Sequence, residues 1–148
     1  MCGFTFILKK KLFKKEFDSK NFLKYLKKRG NDSDGNFFNE DISVFFQRLS
    51  IIDHQFGSQP MLDNKRNYLI CFSGELYNYL ELKNELSLLG VKFFTNSDTE
   101  VMLEGYKKYG SKFLNKVNGM FSMIIWNFKE KKAFVARDRL GKKPLYYH

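Results

Sequence analysis

The stretch from Gly3 to Leu8, GFTFIL, is apolar, aromatic and β-branched, and reads as a first strand buried on both faces. Beyond a lysine-rich stretch, Asp18 or Ser19 is placed to cap a helix carrying Phe22, Leu23 and Leu26 on one side. The segment RGNDSDGN, rich in turn-forming residues, ends it. ISVFFQRLSII then predicts a second strand, a polar loop runs through Pro60, and NYLICF predicts a third strand ending at Ser73-Gly74. Leu82, Leu86 and Leu89 share one face of an amphipathic helix that Gly90 is placed to end. Another helix is expected from Thr99 to Tyr109, with Met102, Tyr106 and Tyr109 facing inwards and Asp98 near its N-terminus. GMFSMIIWN, KKAFVARD and KPLYYH predict the last strands, the first two joined by a tight charged turn at FKEK.

Strands at both ends with helices grouped between them predict a layered α+β fold rather than an alternating βαβ sheet. With 148 residues, 43% of them hydrophobic, and no repeat or low-complexity linker, the chain predicts one domain over residues 1–148. The net charge of +10 sits in short lysine runs such as KKKLFKK and KEKK, which read as solvated faces rather than as a nucleic-acid footprint. A nucleic-acid binder would instead show salt-sensitive retention on DNA or RNA. GxxxxGK[ST], CxxC and HExxH patterns are absent, and His54 and His148 form no ligand cluster, so no metal is expected. No apolar run is long enough to span a bilayer, and FTFIL is too short for a secretory signal, so no membrane partner is expected. Two cysteines, Cys2 and Cys71, make no disulfide framework, which fits a reducing, cytoplasmic setting.

Cys2 directly follows Met1 and precedes Gly3. If Met1 is removed, the α-amino group of Cys2 lies within reach of its own sulfur and titrates near neutrality, so nucleophile and base belong to one residue. By position alone, the first reading of Cys2 is an ordinary small residue at a chain end. Cys71, in LICF, reads as a small buried thiol, and Trp126 and the phenylalanines as core filling.

Six stretches change this balance: MCGF, RLSIIDHQFGSQPM, FSGELYNYLELKNEL, TNSDTEVML, NGMFSMIIWN and ARDRLGKKPLYYH. In this order, from Met1 to the last residue, they resemble the N-terminal glutaminase domain of glutamine-hydrolysing asparagine synthetases, within the class II glutamine amidotransferases. The resemblance implies an N-terminal nucleophile hydrolase fold, a four-layer αββα sandwich of two antiparallel sheets. It implies L-glutamine as substrate, hydrolysed to glutamate and ammonia through a glutamyl thioester on Cys2. Asparagine synthesis is the first reading of where the ammonia goes, with sugar or peptide amidation as the alternatives.

The same resemblance assigns the site residue by residue. Arg48 matches the arginine that holds the α-carboxylate, although an arginine at such a place also serves in a surface ion pair. Asp98 matches the acid that binds the α-ammonium group, or is a helix cap. Glu75 matches a further substrate-binding position, its alternative being a solvent-facing loop acid. Gly74 contributes its N–H to the oxyanion hole. At the neighbouring position the family carries asparagine in FNGEIYN where this chain has Ser73, whose hydroxyl is shorter than a carboxamide, so a slow glutaminase is expected. In KKRGNDSDG, Asn31 stands where the family has proline, and a looser loop is expected.

The family's chains continue through further glutaminase strands into a synthetase domain that uses ATP and Mg2+ and carries an SGGxDS loop, which this sequence lacks. The expectation is therefore a C-terminally truncated glutaminase domain with no synthetase domain and no cofactor of its own. It would serve a separate synthetase subunit or form a homodimer. A glutamine-binding module or remnant without turnover is the competing expectation.

Overall fold

The computed structural model describes residues 2–9 and 24–148. Its strands are β1 (Gly3–Leu8), β2 (Ser33–Phe38), β3 (Ile42–Arg48), β4 (Met61–Leu62), β5 (Tyr68–Leu76), β6 (Gly119–Asn127) and β7 (Lys132–Arg137). Two α-helices, α1 (Tyr79–Leu88) and α2 (Asp98–Tyr109), lie between β5 and β6; short 3-10 segments cover Lys27–Arg29, before β2, and Gly110–Asn115, before β6. The strands form two antiparallel sheets, ordered β1-β3-β2 and β4-β5-β6-β7.

Side-chain alternation decides what each face meets. Ile42, Val44 and Phe46 of β3 pack against Leu69 and Cys71 of β5 and against Ile124 and Trp126 of β6, with Phe4 and Phe6 alongside. This apolar layer joins the sheets. The opposite face of the second sheet, carrying Ile70, Phe72, Leu76, Phe121, Met123 and Ile125, meets Leu82 and Leu86 of α1 and Val101 and Met102 of α2. β5 and β6 are thus covered on both sides, which is why LICF and FSMIIW are unbroken apolar runs. Cys71 and Trp126 lie in the inter-sheet layer, as core residues.

Helix α1 buries Leu82 and Leu86, and Leu89 caps it, half exposed. Gly90, at φ 85°, turns the chain back so that the Val91 N–H reaches the Leu86 carbonyl, the bond pattern of a left-handed helix terminus. In α2, Ser97 is the cap and Asp98 the first helical residue. The buried residues include Val101, Met102 and Leu103, while Tyr106 and Tyr109 are only half buried.

Several expectations are corrected. RGNDSDGN is not simply a helix-ending turn, because Ser33 onwards forms β2, paired with β3 from Ser33 opposite Arg48 to Phe38 opposite Ser43. An available strand edge outweighs turn propensity there. ISVFFQRLSII remains a strand only to Arg48. Only Gly3 is fully buried in β1. KPLYYH forms no strand: the Asp138 carboxylate accepts the N–H groups of Leu140, Lys142 and Lys143 and turns the chain away after β7, leaving Tyr146 and Tyr147 exposed. Residues 24–26 are helical, but Asp18, Ser19, Phe22 and Leu23 lie outside the described residues, as does most of the helix expected there. Among the described residues, no helix is long and apolar enough to cross a membrane.

The loop over residues 49–60 is tied to the second sheet by one side chain. Met61 and Leu62 pair with Ile70 and Leu69, and extending that register places Gln59 opposite Phe72. There the Gln59 carboxamide replaces a main-chain partner: its oxygen accepts from the Phe72 N–H at 2.7 Å and its nitrogen donates to the Phe72 carbonyl at 2.9 Å. Both groups are buried, and leaving a buried polar group unsatisfied costs about 1–3 kcal/mol. Gln59→Ala is expected to destabilise the fold by about 2–6 kcal/mol on that basis, two such groups being left. Urea denaturation checks this, and an unchanged midpoint would show that the pairing carries no stability.

Candidate active site

A cleft opens where the C-terminal ends of β3 and β5 meet the start of β1. Extending the β1–β3 register sets Cys2 opposite Arg48. The cleft is lined by Cys2, Arg48, Gly74, Glu75 and Asp98, contributed by β1's approach, β3, β5 and the start of α2. Five of the six residues expected to form a site therefore share one cavity.

The sixth, Ser73, turns elsewhere. Strand alternation directs its side chain towards the first sheet, and its hydroxyl donates to the main-chain carbonyl of Cys2 at 2.8 Å. A hydroxyl has one proton to donate, and here it is committed to the backbone of Cys2. Glu75 is likewise not in a loop but in β5, half buried.

Arg48 is only 6% exposed and donates to three main-chain carbonyls: Ile52 at 3.1 Å, Asp53 at 2.6 Å and His54 at 3.3 Å. Gly57 lets the loop close on it, since a Cβ there would lie 2.4 Å from Nη2. Neutral carbonyls fix the guanidinium without cancelling its charge, which leaves it suited to an anionic ligand group. Asp53 anchors the same loop, its carboxylate accepting from the N–H groups of Phe56 and of Asn96, just before α2.

Asp98 is 5% exposed and accepts from the Leu76 N–H at 3.1 Å. Burial, aided by the nearby Glu75 carboxylate, pushes its pKa up to about 6 against the pull of the Leu76 and Thr99 N–H groups. At neutral pH it remains an anion, held at a cost and ready for a cation.

The Cys2 sulfur lies 3.4 Å from both the N–H and the carbonyl oxygen of Leu49. Burial raises its pKa, and Asp98 adds to this, while the Leu49 N–H and the Arg48 charge act in the opposite direction. The thiol therefore needs a base to become a nucleophile. Cys71 is also raised, by burial alone, and is sealed between the sheets.

Along β5, successive residues send their main-chain groups to opposite edges, so Phe72, Gly74 and Leu76 address the edge away from β6. Gln59 takes the groups of Phe72, Asp98 takes the Leu76 N–H, and Gly74 between them faces the cleft. The strand must lack a side chain at this point, since a Cβ on Gly74 would lie 2.1 Å from the Met120 carbonyl oxygen.

Sequence reasoning gave no role to Gln59 or Lys143, which also line the cleft, the latter only 3% exposed. Both lie inside stretches that carry the resemblance. What sets Gln59 apart is its register with Phe72, which only the folded sheet shows.

Asp98 yields a stability prediction. Its folded pKa lies above the ordinary value of 3.8, so its favourable contribution is complete below that value and is lost as pH rises through about 6. The shift corresponds to about 3 kcal/mol at neutral pH. Asp98→Asn keeps an oxygen for the Leu76 N–H, and is expected to be the more stable protein at pH 7 by up to about 3 kcal/mol, with the difference vanishing towards pH 4. Denaturation at the two pH values tests this; a variant less stable than the parent at pH 7 would contradict it.

The comparisons with known proteins bear on the whole chain. The profile of the Glutamine amidotransferase domain family matches residues 1–148. The chain is 42% identical to asparagine synthetase [glutamine-hydrolyzing] 1 of Bacillus subtilis, over 99% of this chain and 24% of that protein. It is 37% identical to a putative asparagine synthetase [glutamine-hydrolyzing] 2 of Methanocaldococcus jannaschii, over 100% of this chain and 32% of the other. It thus spans about a quarter to a third of these relatives. The structure of glutamine phosphoribosylpyrophosphate amidotransferase from B. subtilis, complexed with ADP and GMP, superposes with a TM-score of 0.53 at 24% identity, over 65% of this chain and 23% of that one. That likeness shows the shared fold of two antiparallel sheets, the N-terminal nucleophile hydrolase architecture. A family profile matched from first residue to last, together with this identity to asparagine synthetases, makes the chain a member of the class II glutamine amidotransferase family.

Proposed function

We propose that this chain is the glutaminase part of an asparagine-forming system, hydrolysing L-glutamine to glutamate and ammonia. The observation that carries this reading is the gathering of Cys2, Arg48, Gly74, Glu75 and Asp98 in one cleft from distant parts of the chain. A free α-amino acid presents an anion, a cation and a side-chain amide. The cleft offers a caged guanidinium, a buried carboxylate and a thiol beside an open strand edge.

In this reading Met1 is removed, and the freed α-amine of Cys2 takes the thiol proton. Arg48 holds the α-carboxylate, while Asp98, with Glu75 beside it, holds the α-ammonium group. The sulfur adds to the carboxamide carbon, and the oxyanion accepts from the Gly74 N–H. The ammonium passes its proton to the departing nitrogen, the C–N bond breaks and ammonia leaves, giving a glutamyl thioester. Water, deprotonated by the same amine, adds to the thioester carbon, and glutamate departs as the proton returns to sulfur. Each proton transfer runs between groups of Cys2, the substrate and water, and needs no metal. ATP and Mg2+ belong to the step that activates aspartate, on a synthetase subunit or segment beyond these residues. A cytoplasmic setting, with such a partner or a second copy, completes the reading.

A second reading, glutamine binding with little turnover, draws on Ser73. With its hydroxyl donated to Cys2, the Gly74 N–H is the one donor assigned to the oxyanion, and losing one such donor typically costs about 100- to 1,000-fold in turnover.

Two outcomes are expected. The purified protein should lack Met1 and take up one equivalent of 6-diazo-5-oxo-L-norleucine, blocked by excess glutamine, whereas Cys2→Ala should neither be labelled nor release glutamate. Intact mass and a glutamate assay check both, and glutamate release that survives Cys2→Ala would remove the nucleophile. Ser73→Asn should raise turnover by about 100-fold, since its longer amide donates to the oxyanion; an unchanged rate would show that the second donor is not what limits the enzyme.

A further inference from the structure

Gly74 presents two main-chain groups to the cleft, and the mechanism above uses one. In a β-strand the N–H and C=O of a residue point to the same edge, so wherever the Gly74 N–H faces the cleft its carbonyl does too. The groups flanking this place are taken: the Gln59 carboxamide binds both main-chain groups of Phe72, and the Asp98 carboxylate accepts from the Leu76 N–H. Extending the β4–β5 register would put Gly57 opposite Gly74, but Gly57 has closed onto Arg48 and the cleft lies there instead.

The protein already shows what binds such an edge. Two residues earlier on the same strand, a glutamine side chain docks as a piece of β-strand, accepting at 2.7 Å and donating at 2.9 Å. A free glutamine carries the same carboxamide. We infer that Gly74 grips the substrate's side-chain amide with both main-chain groups, its N–H on the amide oxygen and its carbonyl on the amide nitrogen, repeating the Gln59–Phe72 pairing two residues further along the strand.

This inference rests on the glutaminase reading and adds to it the basis of amide selectivity. A carboxamide docked in the plane of the second sheet turns one face towards the first sheet. Cys2 packs on that side, against the layer between the sheets, and the Ser73 hydroxyl fixes its backbone over β5. The nucleophile thus approaches perpendicular to the amide plane. Glutamate, the product, places an acceptor oxygen where the amide had a donor, against the Gly74 carbonyl. The same carbonyl that holds the substrate therefore repels the product.

The test uses the Cys2→Ala chain, which binds without turnover, and compares three ligands by titration calorimetry at pH 8. L-Glutamine is the reference. 5-Oxo-L-norleucine replaces the amide NH2 by a methyl group of nearly the same shape, keeping the carbonyl oxygen but losing both donors, and L-glutamate is the product. The ketone is expected to bind about 10- to 100-fold more weakly than glutamine, the effect of leaving a buried carbonyl without its donor, and glutamate is expected to bind more weakly still. A ketone that binds within about three-fold of glutamine would overturn the inference while leaving the glutaminase reading intact. Failure of glutamine itself to bind would instead remove the site, and the inference with it.

Discussion

Strand β5 is nine residues long and its neighbour β4 only two. β5 therefore runs past its partner with main-chain donors and acceptors still to be satisfied, and an exposed strand edge is a liability unless something covers it. Here the covering is divided. A glutamine side chain satisfies Phe72, an aspartate satisfies the Leu76 N–H, and the place between them is the cleft. Gln59 also fixes the loop that cages Arg48, so the strand edge and the guanidinium side of the cleft are set by one arrangement.

The charges of the cleft are prepared in different ways. Arg48 is surrounded by carbonyl oxygens, which orient a guanidinium while leaving its net charge for a ligand. Asp98 keeps its charge in a buried place that disfavours it, with the Leu76 and Thr99 N–H groups limiting the penalty. Such a group detracts from the stability of the empty protein. An ammonium ion placed beside it would remove the penalty.

Ser73 belongs to the positioning of Cys2 in this structure. Its side chain leaves β5 on the face opposite to that of Phe72 and Leu76 and meets the carbonyl of Cys2, tying the residue just before β1 to the middle of the second sheet. The sulfur is held near Leu49 at the end of β3. Both sheets thus contribute to placing a residue that belongs firmly to neither.

Much of this was legible in the sequence. The apolar runs of β3, β5 and β6 and the leucine spacing of α1 are local patterns, and alternation or helical periodicity carries them without reference to the rest of the chain. The stretches around Cys2, Arg48, Gly74, Glu75 and Asp98 carried the family resemblance, because each is a short run of residue types read directly along the chain. What sequence could not supply was pairing. β2 forms within turn-rich residues because the β3 edge is beside it, and KPLYYH stays out of the sheet because Asp138 turns it aside. The length mismatch of β4 and β5, the docking of Gln59 on Phe72 and the commitment of the Ser73 hydroxyl to Cys2 join positions far apart in the chain. Residue identity alone fixed which chemical groups were available; which of them face one another was decided by strand register, a property of two segments together that neither segment encodes by itself.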